Sequence, residues 1–354
     1  MKNLGTREFS RELQQRTGIR RKPLNGQWEL SFGCNLRCVH CYNSCYNNPE
    51  SIKNELKFKE ITNILDQIHN EGCLWLCFTG GEPLMRPDFL DIYAYAKKLG
   101  LLLTIFTNGT LITEEIADYF LKEPPFSIEI SLNGITRVTY EKITQVKGSF
   151  ENCLRGIKLI KERKLPLKLK AALNTLNYSE LEKMKAFASN LGISFRHSSI
   201  IYPAINHSKN PLKFRLSAQA VANLQNSKED LDCEEEKTEV HKNKPLPKSD
   251  FLFHCSMTMN TFHINPYGEL FFCNWLRKPS FSLREGNFKE GFDTLYPQIR
   301  SLRYKTDSKC RDCDLYNQCY QCPARAYIEN KDMEKPVDYF CEITHRQKEK
   351  GIRR

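Results

Sequence analysis

A chain of 354 residues, 40% of them hydrophobic, can bury the core of a barrel and still carry an accessory module. Its net charge of +11 admits an anionic partner, but no run interleaves basic and aromatic residues as RNA-binding strands do, so nucleic acid is disfavoured. The charged N-terminus lacks a signal-peptide core and no apolar stretch approaches the ~18 residues that cross a bilayer, which predicts a cytoplasmic protein with no membrane partner. In that reducing compartment, 15 cysteines imply metal rather than disulfides.

Residues 1–26 form a basic extension, too short for an independent fold. From 27 to about 200, short β-type runs alternate with amphipathic helical patterns. The predicted strands are 28–32, 74–79, 101–107, 127–132, 167–173 and 193–196. Ile61, Ile64, Leu65 and Ile68 fall on one helical face after the first strand. Pro87, at a first-turn position, opens the next helix, Thr113 with Glu115 and Ile116 opens a third, and 150–160 and 181–191 complete the series. Strict alternation predicts parallel strands with right-handed crossovers, and six units are too few for a closed eight-stranded barrel. The expected fold is therefore α/β, a partial (βα)6 TIM-like barrel over 27–225. A charged linker follows at 226–250, then a small Cys-rich domain at 251–346 and a basic tail at 347–354.

The first strand runs into Cys34-x3-Cys38-x2-Cys41. Three thiolates at this spacing can hold three irons of a [4Fe–4S] cube and leave the fourth iron open, whereas a purely electron-carrying cluster takes four cysteines. A zinc site is the competing reading, with Cys45 as its fourth ligand, although zinc favours paired Cys-x2-Cys knuckles. The segment resembles the signature of radical S-adenosylmethionine (SAM) enzymes. That resemblance implies that SAM chelates the open iron and is cleaved reductively to a 5′-deoxyadenosyl radical.

After the second strand comes Thr79-Gly80-Gly81-Glu82-Pro83, in which two glycines let the backbone approach a ligand and Glu82 offers an acceptor for an ammonium. It is similar to the family's Gly-Gly-Glu-Pro motif, which binds the amino group of SAM. By the same resemblance Ser131 contacts the ribose. The acid that usually follows it is replaced by Asn133. Asn174 ends the fifth strand and can line the same pocket, and His40 holds the position where relatives set a ring against adenine. Ser131 and Asn174 also suit ordinary turns, and His40 an ordinary surface loop.

The C-terminal cysteines are Cys255, then Gly268-x4-Cys273, Cys310-x2-Cys313-x5-Cys319-x2-Cys322 and Cys341. This pattern resembles the SPASM module, which carries auxiliary Fe–S clusters in radical SAM enzymes that modify peptides. The resemblance implies one cluster on Cys310, Cys313, Cys319 and Cys341, and another on Cys255, Cys273 and Cys322. No cysteine lies between Cys255 and Gly268, so the second set implies an open iron or a non-cysteine ligand. A zinc ribbon on Cys310, Cys313, Cys319 and Cys322 is the alternative, and it leaves three cysteines unexplained. Cys73, Cys77, Cys153 and Cys233 match no motif. Cys73 and Cys77 suit small core positions.

The resulting expectation is a radical SAM/SPASM maturase that forms a thioether or carbon–carbon crosslink on a ribosomal peptide or protein side chain. Its cofactors would be SAM, the open [4Fe–4S] cluster and two auxiliary clusters. Its partners would be the peptide, an external electron donor such as flavodoxin or ferredoxin, and a separate leader-binding protein. An anaerobic sulfatase maturase is the first alternative. That reaction uses an aspartate base after the Gly-x4-Cys cysteine, where this chain has Asn274. A non-catalytic metal-binding protein that docks nucleic acid is the second.

Overall fold

A computed structural model describes residues 12–13, 22–224, 249–255 and 260–351. The linker and basic extension predicted from the sequence fall largely outside these residues, as do Cys233 and the side chain of Cys45.

One nine-stranded sheet organises the molecule, in the order β6-β5-β4-β3-β2-β1-β7-β8-β9. Its strands are β1 Asn25–Ser31, β2 Trp75–Gly80, β3 Leu102–Thr107, β4 Ser127–Ser131, β5 Leu167–Ala172 and β6 Ser194–Ser198, then β7 Thr261–Ile264, β8 Glu269–Cys273 and β9 Leu276–Ser282. Strands β1 to β6 pair in parallel, each with the next in sequence. The sheet does not close, as expected for a partial barrel. The C-terminal segment extends this same sheet: β7 pairs parallel to β1, and β8 and β9 continue it antiparallel.

Helix Phe58–Asn70 buries Ile61, Ile64, Leu65 and Ile68, the face read from the spacing. Thr113 caps Glu114–Lys122 by accepting from Ile116 N. Pro87 is not in the first turn of its helix, which spans Phe89–Lys98 with Asp88 as cap, so the proline belongs to the turn before it. Arg137–Thr144, unforeseen from sequence, leads into Ser149–Glu162.

Period-two alternation sorts the strand side chains. Ile105, Ile128, Ile130 and Leu169 are completely buried in the apolar core. The opposite parity carries Phe106, Glu129, Ser131, Lys170 and Arg196, of which only Glu129 is buried. A parallel sheet covered on both faces reads as continuous apolar runs, so this polar inner face marks a chamber rather than a second core.

Candidate active site

The cysteine loop leaves β1 and is pinned from several sides. Arg37 N donates to Thr144 O at 2.9 Å and Val39 N to Ile143 O at 3.0 Å, which ties the loop to the end of helix Arg137–Thr144. Asn47 clamps Cys34, accepting from its N–H at 3.1 Å and donating to its carbonyl at 2.9 Å. Cys34, Cys38 and Cys41 share one electrostatic neighbourhood. Burial chiefly pushes the Cys34 thiol up to about 12 and Cys38 well above its ordinary value. Leu36 N donates to Cys34 Sγ at 3.4 Å, the kind of contact that favours a ligating thiolate.

Gly80 and Gly81 serve a purpose beyond the ligand access expected of them. A Cβ on Gly80 would lie 2.2 Å from Ser31 O, and one on Gly81 2.3 Å from Gly33 O. The two loops join backbone to backbone, with Gly81 N donating to Ser31 O at 2.7 Å and Glu82 N to Gly33 O at 2.8 Å. Pro83 starts the short helix Pro83–Met85 capped by Glu82. Glu82 is fully buried and accepts from Thr107 Oγ1 at 2.7 Å, Asn108 N at 2.7 Å and Leu84 N at 3.2 Å. Burial outweighs these donors and pushes its carboxyl up to about 7. A carboxylate has about four lone-pair sites, so a further donor can still be accommodated. Asn108 in turn reaches Asn35 Oδ1 at 2.8 Å and Cys34 Sγ at 3.9 Å.

The remaining predicted positions divide. Ser131 ends β4 half-buried on the inner face. Asn133 is buried, its carbonyl accepting from Asn177 at 3.0 Å. Asn174 is fully buried and its amide works within its own turn: Oδ1 accepts from Leu176 N at 2.9 Å and Nδ2 donates to Ala172 O at 3.1 Å. His40 is held neutral, burial lowering it to about 4, and its buried Nδ1 has no hydrogen-bond partner within the described residues.

The C-terminal cysteines form two groups. Cys273, at the end of β8, shares its surroundings with Cys322 and Cys255. Cys310 shares its own with Cys341, Cys319 and Cys313. Each group receives an amide N–H on sulfur: Arg325 N on Cys322 Sγ and Gln321 N on Cys319 Sγ, both at 3.4 Å. Among the described residues no three His, Cys, Asp or Glu side chains converge on a site for a single ion. Cys73 and Cys153 are buried in the apolar core. Cys77 faces the chamber side, beside Lys170 and Glu129, rather than the core.

One network at the site was not legible in sequence. Arg277 of β9 donates both Nη groups to Glu29 of β1, each at 2.8 Å, and Nη2 to Asn274 Oδ1 at 2.9 Å. Asn43 Nδ2 also donates to Glu29, at 2.7 Å. Asn274 thus joins the Arg277–Glu29 network, and its own side chain is an amide rather than the aspartate base of the sulfatase maturases. A glutamate inside an apolar strand was the available signal; its partner lies 248 residues away.

This architecture, an open and mostly parallel α/β sheet with polar loops at the strand ends, is a radical SAM fold of the partial-barrel kind. Residues 28–188 match the Radical SAM superfamily model. That segment, somewhat less than half of the chain, carries a radical SAM domain, and the family implies SAM and a [4Fe–4S] cluster. It is 26% identical over 340 residues to the AdoMet-dependent heme synthase of Methanosarcina barkeri, covering 88% of this chain and 94% of that one. The mycofactocin maturase MftC of Mycobacterium tuberculosis is 29% identical over 175 residues, covering 49% of this chain and 44% of that one. Streptococcus suis SuiB bound to its precursor peptide SuiA has the same fold, with a TM-score of 0.70 at 19% identity over 94% of this chain and 80% of that one. Among the described residues no helix is long and apolar enough to cross a membrane.

Proposed function

We propose that this radical SAM enzyme oxidatively modifies a peptide or protein side chain, forming a thioether or carbon–carbon crosslink on a ribosomally made peptide. The observation that carries the reading is the division of ten cysteines into three separate groups, each with an amide N–H on sulfur. Removing two hydrogens from a substrate releases a second electron, and two further clusters can receive it. Cys34, Cys38 and Cys41 would hold the SAM-binding cluster. Cys255, Cys273 and Cys322 would hold a second, and Cys310, Cys313, Cys319 and Cys341 a third. Glu82 would take the SAM ammonium at its remaining lone pair, Ser131 the ribose, and the ring of His40 the adenine. When bound, SAM and its cluster supply a carbon radical that takes a hydrogen atom from substrate. The chain's own residues orient the reactants, exclude water and hold the sulfurs apart. An external flavodoxin or ferredoxin and a separate leader-binding protein complete the proposed system.

The likeness to MftC and the SuiB fold, seen with its peptide, support a peptide substrate. The heme synthase relative, matched along nearly the whole chain, favours a second reading in which the substrate is an iron porphyrin. Anaerobically reconstituted protein should contain about three [4Fe–4S] clusters, and the Cys34/Cys38/Cys41→Ala variant about two. Zinc on Cys310 through Cys322 would overturn the cluster assignment. Incubation with SAM, a reductant and either a pool of cysteine-bearing peptides or iron coproporphyrin then decides the substrate. Loss of two hydrogens from peptide is the expected result, and a change in the porphyrin alone reverses the choice.

A further inference from the structure

We propose that the inner face of β3–β6 carries a carboxylate-binding site, built from Lys170 and Arg196 over Glu129 and Phe106, that receives a carboxylate of the substrate. It rests on the proposed function only in placing substrate within the chamber.

The register brings the parts together. Ser131 of β4, Lys170 of β5 and Arg196 of β6 are direct partners in adjacent strands, and so lie in one row on the same face. Phe106 and Glu129 form the row beneath. Lys170 Nζ sits 3.0 Å from the centroid of the Phe106 ring, and the Arg196 guanidinium carbon 5.6 Å from it. Glu129 Oε2 meets both cations, Lys170 Nζ at 3.9 Å and Arg196 Nη2 in a short ion pair. One carboxylate oxygen therefore serves two positive groups.

Exposure separates the partners. The Glu129 side chain is 8% exposed, Lys170 21% and Arg196 41%. The anion forms the floor and the cations reach into the chamber. Burial lowers Lys170 to about 7, with Glu129 and the neighbouring Cys77 opposing that shift, Arg196 adding to it, and Glu82 opposing it more weakly. Glu82 is already engaged by Thr107, Asn108 and Leu84. An arriving carboxylate would replace the hydration that Lys170 has lost and favour its charged form. Arg196 presents a fork suited to bidentate capture.

A purely structural ion-pair network is the competing account. The sheet does not need one here, because its other face is held by Ile105, Ile128, Ile130 and Leu169. The Ser131 row also places this pair next to the proposed SAM pocket, where a substrate carboxylate would fix the reacting carbon. An acidic peptide side chain and a porphyrin propionate share this chemistry.

The test is competitive acylation of the full-length reconstituted protein with a small amine reagent, Lys170 being followed by peptide mass spectrometry across pH. Propionate should suppress labelling of Lys170 and move its labelling midpoint upward, whereas propionamide, its neutral counterpart, should do neither. Arg196→Gln should weaken the protection by roughly tenfold. Equal labelling with propionate, propionamide and neither would overturn the proposal and leave a structural network. A Glu-rich peptide that protects where its Gln counterpart does not identifies a peptide carboxylate, and protection by coproporphyrin alone identifies a porphyrin one. Either result sustains the site. Propionate protection in a protein that modifies no peptide would sink the peptide reading and not this one.

Discussion

Glu82 shows how a side chain expected to bind a ligand also holds the site together. Its carboxylate gathers Thr107, Asn108 and Leu84, and Asn108 in turn touches Cys34. Glu82→Ala should therefore leave buried donors unpaired and cost about 1–3 kcal/mol in thermal unfolding. Iron content should fall together with SAM binding; unchanged stability and iron would show that Glu82 acts on the ligand alone. Lys170 gives a prediction with a definite sign. Its amine is lowered from its ordinary 10.5 to about 7, so the folded state binds fewer protons than the unfolded chain between those values. The cost of its burial is complete below about pH 7 and fades as pH rises toward 10.5. Lys170→Met, which leaves Glu129 paired with Arg196, should raise stability near pH 6.5 by at least ~1 kcal/mol. The gain should shrink at pH 9.5, and a gain independent of pH would refute the burial argument.

At the scale of elements, the Gly-Gly turn after β2 is a joint between two loops. Gly81→Ala forces a methyl against Gly33 O and Phe32 O, both backbone atoms that cannot swing away. A loss of ~1–3 kcal/mol is expected, with poorer iron loading at Cys34, Cys38 and Cys41. Gly72, which unlike Gly81 is left-handed at φ +93°, has nothing within 4 Å of a built Cβ, so Gly72→Ala should cost about 1 kcal/mol through its backbone conformation alone and spare the iron. Equal iron loss in both variants would show that the joint does not matter. The strands themselves were legible because β-branched and aromatic runs recur between helical faces. Helix Arg137–Thr144 was not, since its eight residues bury few apolar side chains and depend on packing against the cysteine loop.

Across the whole molecule, Arg277 and Glu29 tie the last strand to the first. With side chains 16% and 3% exposed, they form a bidentate pair between segments 248 residues apart. Arg277→Met alone leaves Glu29 buried and uncompensated and should destabilise by ~3–5 kcal/mol. Adding Glu29→Met removes the stranded charge and should recover much of that loss in chemical denaturation. Additive losses in this double-mutant cycle would mean that the two residues act separately.

The sequence by itself determined the local chemistry. Cysteine spacing, the Gly-Gly-Glu-Pro turn and the alternation of strand with helix all depend on residues within a few positions of each other, and periodicity and steric rules read such patterns directly. It also carried the division of the late cysteines, though only through likeness to a family. Tertiary structure alone decided what depends on distant strands meeting. Joining β7 to β1 made one sheet of two cysteine regions, and the register of β4, β5 and β6 put Ser131, Lys170 and Arg196 in a row. The charges in Ser-Ile-Glu-Ile-Ser and Leu-Lys-Leu-Lys were visible in the chain, but which face they shared was not. That depends on strand pairing, which is fixed by burying the opposite face in the common core.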